Sequence, residues 1–218
     1  MKIQLTMPIM DKPEPKTIEC VMRDMHRSKH EVVWKIEHGN SLISRCRDRL
    51  GKELLDKDFD YLLFIDADLV WEQNIIDKLV SHDKDIVGGI YVVKDGGHHP
   101  AYRSLEIHKE FVETGNFECG FKAEIPTDLQ EVQYISAGMM LIKIDCLRKM
   151  YEKYKFPFMC MEGVNGDFLS EDYAFCQRAK DIGYKVWADG DITVGHIGKC
   201  IYTRMHWKSN RSKKIMED

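Results

Sequence analysis

Asp66 and Asp68 place two carboxylates at i and i+2, closing the apolar run Tyr61-Leu62-Leu63-Phe64-Ile65. A continuous apolar run bounded by charge reads as a buried strand, and residues two apart leave a strand on the same side. Like charges that close repel unless a cation lies between them. A divalent ion meets that need and can hold a phosphate in turn. The expectation is a metal–diphosphate site around Asp66, Ala67 and Asp68 at the C-terminal end of a strand, where open α/β sheets bind ligands. A capping role for the two acids on the next helix is the plain alternative.

Other residues supply the chemistry such a site lacks. His196 sits in Val194-Gly195-His196-Ile197-Gly198. An imidazole adds a third ligand to two carboxylates without adding charge, although a histidine bonded to backbone is an equally simple reading. Carboxylates, imidazole, diphosphate oxygens and water together suit Mn²⁺, with Mg²⁺ as the competitor. Glu171-Asp172 opens a helix behind Ser170. Acids there stabilise the helix dipole, and one of them could act as general base toward a hydroxyl. Spacing does not choose between the two. Asn40, Ser41, Arg45 and Arg47 start the helix after the second strand, either as surface polar groups or to recognise a phosphate or base. Gly88-Gly89 and Ser136-Ala137-Gly138 lack bulk, so backbone there can approach a ligand or pack closely. His98, His99 and His108 are assigned to a solvated loop, and Lys208, Arg211, Lys213 and Lys214 to a solvated terminus.

The elements that must hold these residues alternate. Strands are expected at Ile3–Met7 (stopped by Pro8), Val32–Glu37, Tyr61–Ile65 and Ile86–Val92. Helices are expected at Thr17–Arg27, from Gly39-Asn40-Ser41 to Leu55 with Leu42, Ile43, Cys46, Leu50 and Leu54 inward, and at Glu72–Ser81. This βαβ alternation implies an α/β protein with a mainly parallel central sheet and helices on both faces. From Asp95 to about Glu131 the pattern suggests hairpins and a mobile loop, with no helix. Val132–Ile144 reads as strand interrupted at Ser136-Ala137-Gly138. Helices follow at Cys146–Tyr154 and Ser170–Ile182, with Ser170 as N-cap. Short strands are expected at Lys185–Ala188 and Ile192–Val194, then a polar tail from Thr203.

The 218 residues suffice for one large core, and 44% apolar content excludes a disordered composition. A net charge of -4 gives no general attraction to nucleic acid. Seven cysteines without a C-x-x-C pair argue for reduced thiols in a cytosol-like compartment. The N-terminus is charged too early for a signal peptide, and no apolar run approaches the roughly 20 residues of a membrane span.

Taken in order, Leu62-Leu63-Phe64-Ile65-Asp66-Ala67-Asp68, Ile86-Val87-Gly88-Gly89-Ile90-Tyr91, Ser136-Ala137-Gly138-Met139-Met140-Leu141-Ile142, Ser170-Glu171-Asp172-Tyr173-Ala174-Phe175-Cys176 and Gly195-His196 resemble nucleotide-sugar glycosyltransferases of the GT-A fold. The compact form is similar to enzymes of bacteriophages and large DNA viruses, including chlorella-virus capsid glycosyltransferases. The resemblance covers residues 3 to 200. It implies a GT-A (Rossmann-like) fold with a smaller antiparallel acceptor-side region, in one domain over 1–218. Within it, 1–94 would be the nucleotide-binding half, 95–200 the acceptor-side half and 201–218 a tail. It implies a metal-dependent transfer of one sugar from a UDP-sugar or other nucleotide-sugar to an acceptor hydroxyl, with inversion. The acceptor would be a glycan or glycoprotein (a viral capsid glycan in the viral case), and the location cytoplasmic, that of the host if viral. Asp66 and Asp68 would be the D-x-D and His196 the late metal ligand. Thr6, Met7 and Pro8 would border the uridine with Asn40 and Arg45 nearby. Ser136, Ala137 and Gly138 would line the donor-sugar and acceptor pocket, and Asp172, beside Glu171, would be the base. The Q-x-x-R-W signature of processive synthases is absent at Gln177-Arg178-Ala179, which implies single-sugar transfer.

Two other readings remain open on the residues. Asp66-Ala67-Asp68-Leu69-Val70 also fits the D-x-D-x-[TV] of haloacid-dehalogenase-type phosphatases, with Asp66 as nucleophile, Mg²⁺ as cofactor and Asp189-Gly190-Asp191 as a late acidic motif. A non-catalytic nucleotide- or sugar-binding module would keep the metal pair and have no need of Glu171-Asp172.

Overall fold

The computed structural model of the chain describes residues 1–72, 74–94, 99–118 and 124–198, and the backbone of 201–202. In chain order the elements are β1 (Lys2–Ile9), α1 (Pro15–Arg27), β2 (Glu31–His38), α2 (Ile43–Lys52), β3 (Tyr61–Ile65), β4 (Leu69–Trp71), α3 (Ile75–Ser81) and β5 (Ile86–Gly89). The second part continues with β6 (Tyr102–Ser104), α4 (Leu105–Thr114), β7 (Leu129–Ile135), β8 (Met139–Lys143) and α5 (Ile144–Lys153). It ends with β9 (Met161–Glu162), a 3₁₀ turn at Val164–Gly166, β10 (Phe168–Leu169), α6 (Glu171–Asp181), β11 (Val186–Asp189), β12 (Val194–Ile197) and β13 (Ile201–Tyr202).

Eight strands form one mixed sheet in the order β2-β1-β3-β8-β5-β11-β7-β6. β8 runs antiparallel to both β3 and β5, and β7 antiparallel to both β11 and β6, so the other six point the same way. This is the expected α/β class, with a mainly parallel central sheet. β8 comes from the second half of the chain yet lies between β3 and β5 of the first. The apolar run at β3 explains its central place, since its side chains alternate between two cores. Leu62 and Phe64 pack with Cys46 and Leu50 of α2, Leu147 and Met150 of α5, and Phe175 of α6. Leu63 and Ile65 pack with Val21 of α1 and Ile76 and Leu79 of α3. Helices thus cover both faces, as parallel sheets require.

Several expectations need correction. β1 does not stop at Pro8 but continues to Ile9. Pairing with β3 ends at Thr6–Phe64, so at Pro8 only β2 lies alongside, and a strand edge tolerates a residue without an N–H. α2 starts at Ile43, with Leu42 and Ile43 turned outward at 50% and 38% exposure. β5 ends at Gly89, and beyond it only an isolated bridge from Val92 to Pro100 remains. A Cβ on Gly88 would collide with the Met139 carbonyl of β8, so the glycine permits that close pairing. The region from 95 to 131 does contain a helix, α4. Its Ser104 side chain caps the Ile107 N–H and Gly115, at φ 66°, ends it in the left-handed region. Residues 95–98 of the expected loop, with His98, and residues 119–123 lie outside the described residues, as does the tail from Thr203. Ser170 precedes α6, but its hydroxyl donates to the Asp172 carboxylate and caps no backbone N–H.

Two small sheets complete the fold. β9 and β10 form a hairpin, and β12 lies between β13 and β4 in a three-stranded antiparallel sheet. Cys20, Cys46, Cys146, Cys160 and Cys176 are free thiols. Among the described residues, no helix is long and apolar enough to cross a membrane.

Candidate active site

β3 delivers Asp66 to the C-terminal edge of the sheet, and the Asp66 N–H donates to the Gly138 carbonyl at 2.8 Å. β4 then pairs in register with β12, His196 facing Leu69, and the Ile197 N–H donates to the Asp68 carbonyl at 2.8 Å. This pairing brings His196 to Asp68 across most of the chain. Nε2 of His196 stands 3.4 Å from Asp68 Oδ2. Nδ1 lies 2.8 Å from the Val92 carbonyl, which can only accept, so Nδ1 carries a proton and the ring is fixed with Nε2 toward Asp68. The Lys94 ammonium bonds the same Asp68 oxygen and the Ile197 carbonyl. Burial alone would raise the Asp68 carboxyl; the contacts from His196 and Lys94 outweigh it and hold the group below its ordinary value.

Asp66 turns elsewhere. Its Oδ1 accepts from Arg47 Nη2 at 2.9 Å, while Arg47 Nη1 donates to the Ala137 carbonyl at 3.1 Å and Nε to Glu171 at 3.4 Å. Arg47 is 2% exposed. Burial opposes its charge, but Asp66, Glu171 and Asp172 together raise its pKa above the usual value, so it stays cationic. Asp172 sits behind the same turn, accepting from the Ala137 N–H at 3.3 Å and from the Tyr173 N–H at 2.8 Å. Burial, then the neighbouring Asp172, push the Glu171 carboxyl upward against the pull of Arg47. Tyr91 closes the group, its hydroxyl 2.6 Å from Ser136 Oγ and its ring edge-on to His196.

The structure therefore gathers Asp66, Ser136, Ala137, Gly138, Glu171 and Asp172 around one buried guanidinium, with Asp68 and His196 paired on the D-x-D's other side. Among the described residues no group of three His, Cys, Asp or Glu side chains stands close enough to hold a metal ion. The donor chemistry nevertheless fits one: a carboxylate and an oriented imidazole nitrogen converge, and a cation already sits on that carboxylate. Thr6 and Pro8 are buried at the end of β1, and Met7 is packed in the core, leaving only its backbone to border a ligand. Ala67 is held through its carbonyl, which accepts from the Glu14 N–H. Arg45 bonds Asn40 on an exposed rim and does not reach the acids. His108 is not solvated: it is half-buried and edge-on to Tyr134. Asp189 and Asp191 are engaged by Lys78, and Asp189 also by His82, away from Asp66.

On the sequence, Arg47 is open between a surface group and a recogniser of phosphate or base, and a buried role is not foreseen. Its spacing from Cys46 and Leu50, both inward, was the available signal for its buried face. Lys94 and Tyr91 carried no comparable mark.

No family model matches the chain, and no curated protein matches it. Among solved structures, A197 from STIV superimposes with a TM-score of 0.60 at 19% identity, over 91% of this chain and 86% of that one, and so shares its fold. GalNAc-T7, solved with UDP, GalNAc and Mn2+, aligns with a TM-score of 0.48 at 10% identity over 90% of this chain and 44% of that one. S. aureus TarS aligns at 0.41 and 11% identity, over 93% and 36%.

Proposed function

We propose that the chain is a metal-dependent, inverting glycosyltransferase that moves one sugar from a UDP-sugar to a hydroxyl of a glycan or glycoprotein. The supporting observation is the convergence of Asp66 and the acid pair Glu171/Asp172 on the turn at Ser136-Ala137-Gly138, linked by Arg47, with Asp68 paired to His196. Asp68 and His196, with Asp66 beside them, would hold Mn²⁺ or Mg²⁺, which when bound neutralises a departing nucleoside diphosphate. The His196 Nδ1–H, fixed on the Val92 carbonyl, keeps Nε2 aimed at that position. The Ala137 N–H orients the Asp172 carboxylate. Asp172 takes the proton of the acceptor hydroxyl as its oxygen attacks the anomeric carbon from the face opposite the diphosphate. The carbon–oxygen bond to the diphosphate breaks, and the configuration inverts. Arg47 holds Asp66 and Glu171 in ion pairs.

Asp172→Asn tests this. Turnover is expected to fall by about two to four orders of magnitude, while UDP with Mn²⁺ still raises the melting temperature, since a ligand of the folded state stabilises it. Asp68→Asn and His196→Ala are expected to lose the manganese-dependent part of that shift. Full turnover by Asp172→Asn would overturn the assignment of the base.

A further inference from the structure

Phe168 is 73% exposed although it lies in a strand, while its neighbour Leu169 is 1% exposed. The hairpin that carries it is firmly held. Asn165 Nδ2 donates to the carbonyls of Phe111 and Val112 at 3.0 and 3.1 Å, and the Gly163 N–H donates to the Asp167 carbonyl at 2.7 Å. Asp167 accepts from Arg103 at 2.6 Å. A large apolar ring held out in water by so many anchors contributes nothing to the core. Phe168 lies two residues before Ser170, at most about 7 Å away along the chain. The Ser170 hydroxyl donates to Asp172 Oδ1 at 2.5 Å. The strand that carries the ring thus runs directly into the residue that bonds the Asp172 carboxylate. Directly across the hairpin from Phe168 is Glu162, exposed and on the same side of the hairpin as the ring.

We infer that this face is the acceptor subsite, and that it takes an uncharged pyranose whose carbon-hydrogen face stacks on Phe168 while Glu162 accepts from its hydroxyls. An apolar plate beside a hydrogen-bond acceptor matches a sugar ring, which is apolar on its faces and polar at its rim. Three carboxylates, Glu162, Glu171 and Asp172, disfavour an anionic sugar here. The inference rests on the transferase reading above and deepens it.

Saturation-transfer NMR on the full chain with UDP and Mn²⁺ tests it, using methyl β-glucoside and methyl β-glucuronide as probes. The glucoside is expected to receive saturation on wild type and on Phe168→Trp, and to bind Phe168→Ala about tenfold more weakly. The glucuronide is expected to bind wild type more weakly than the glucoside and to gain on Glu162→Gln. Equal glucoside binding by wild type and Phe168→Ala, absence of glucoside binding to wild type, or a glucuronide preferred by wild type would each overturn the inference. UDP with Mn²⁺ is monitored separately by melting temperature. Its failure to bind wild type would overturn the transferase reading, whatever the glycosides do.

Discussion

Arg47 and Asp66 form a buried-to-surface ion pair of 2.9 Å, with the guanidinium 3% exposed and the carboxylate 31%. The same guanidinium reaches Glu171, so one cation joins the D-x-D to the acid pair of α6. It also lies 4.9 Å from the Phe64 ring centroid, on β3.

Removing Arg47 leaves Asp66, Glu171 and the Ala137 carbonyl without their partner. Breaking a buried ion pair costs about 3–5 kcal/mol, so Arg47→Met is expected to lose about 3 kcal/mol or more in urea unfolding. Arg47→Lys keeps the charge but not the fork that reaches three acceptors, and should recover only part of the loss. Wild-type stability in Arg47→Met would contradict the arrangement.

Gly138 is expected to resist even a methyl group. A Cβ there would lie 2.7 Å from Asp66 Oδ2 and 2.7 Å from Tyr91 Cζ, with Tyr91 Oη closer still. Overpacking of this kind costs about 1–3 kcal/mol. Gly138→Ala should therefore show a lower thermal midpoint, and adding Tyr91→Phe should restore part of it by removing the hydroxyl. Two additive losses in the double variant would argue against the contact.

Lys94 competes for the oxygen that a divalent ion would use. Removing the ammonium frees Asp68 Oδ2, so Lys94→Met is expected to bind Mn²⁺ on the order of tenfold more tightly in electron paramagnetic resonance titrations. Weaker manganese binding by that variant would instead make Lys94 part of the site's support.

The two shifted carboxyls act in opposite directions with pH. Glu171 is raised by burial and by Asp172, so the folded chain holds its proton more tightly than the unfolded one. Stability accordingly falls as pH climbs above about 4.3, the unfolded value, toward the folded one. Asp68 is lowered, so its contribution is present above about 3.9 and is lost as pH drops through its folded value. In urea midpoints taken across acid pH, Glu171→Gln should flatten the decline above about 4.3 and Asp68→Asn the loss below about 3.9. A wild-type profile in Glu171→Gln would show that its burial is not coupled to folding.

Where periodicity was strong, the chain announced its own structure. The run from Tyr61 to Ile65 had to be buried on both sides, and the interruption at Ser136-Ala137-Gly138 had to separate two strands. α4 was legible only through Ser104 and Gly115, because its single fully buried side chain, Phe111, makes a weak stripe. At the site, the sequence marked the acids and set His196 beside them, but did not mark Lys94 or single out Arg47. Asp68 meets His196 through strand register, and Asp66 meets Arg47 through the inward turn of a helix; neither relation leaves a trace in spacing along the chain. Met7 shows the converse, a residue that the family resemblance set beside the uridine and whose side chain belongs to the core.

β11 lies between β5 and β7 although it is made of residues 186–189. During synthesis, β5 and β7 therefore emerge long before the strand that joins them. Until it arrives the nascent sheet is split, with two unpaired edges able to recruit strands from other chains. Folding yield should thus depend on how quickly the last part of the chain leaves the ribosome, and a chaperone that shields bare strand edges would help this protein more than one that shields exposed apolar helices.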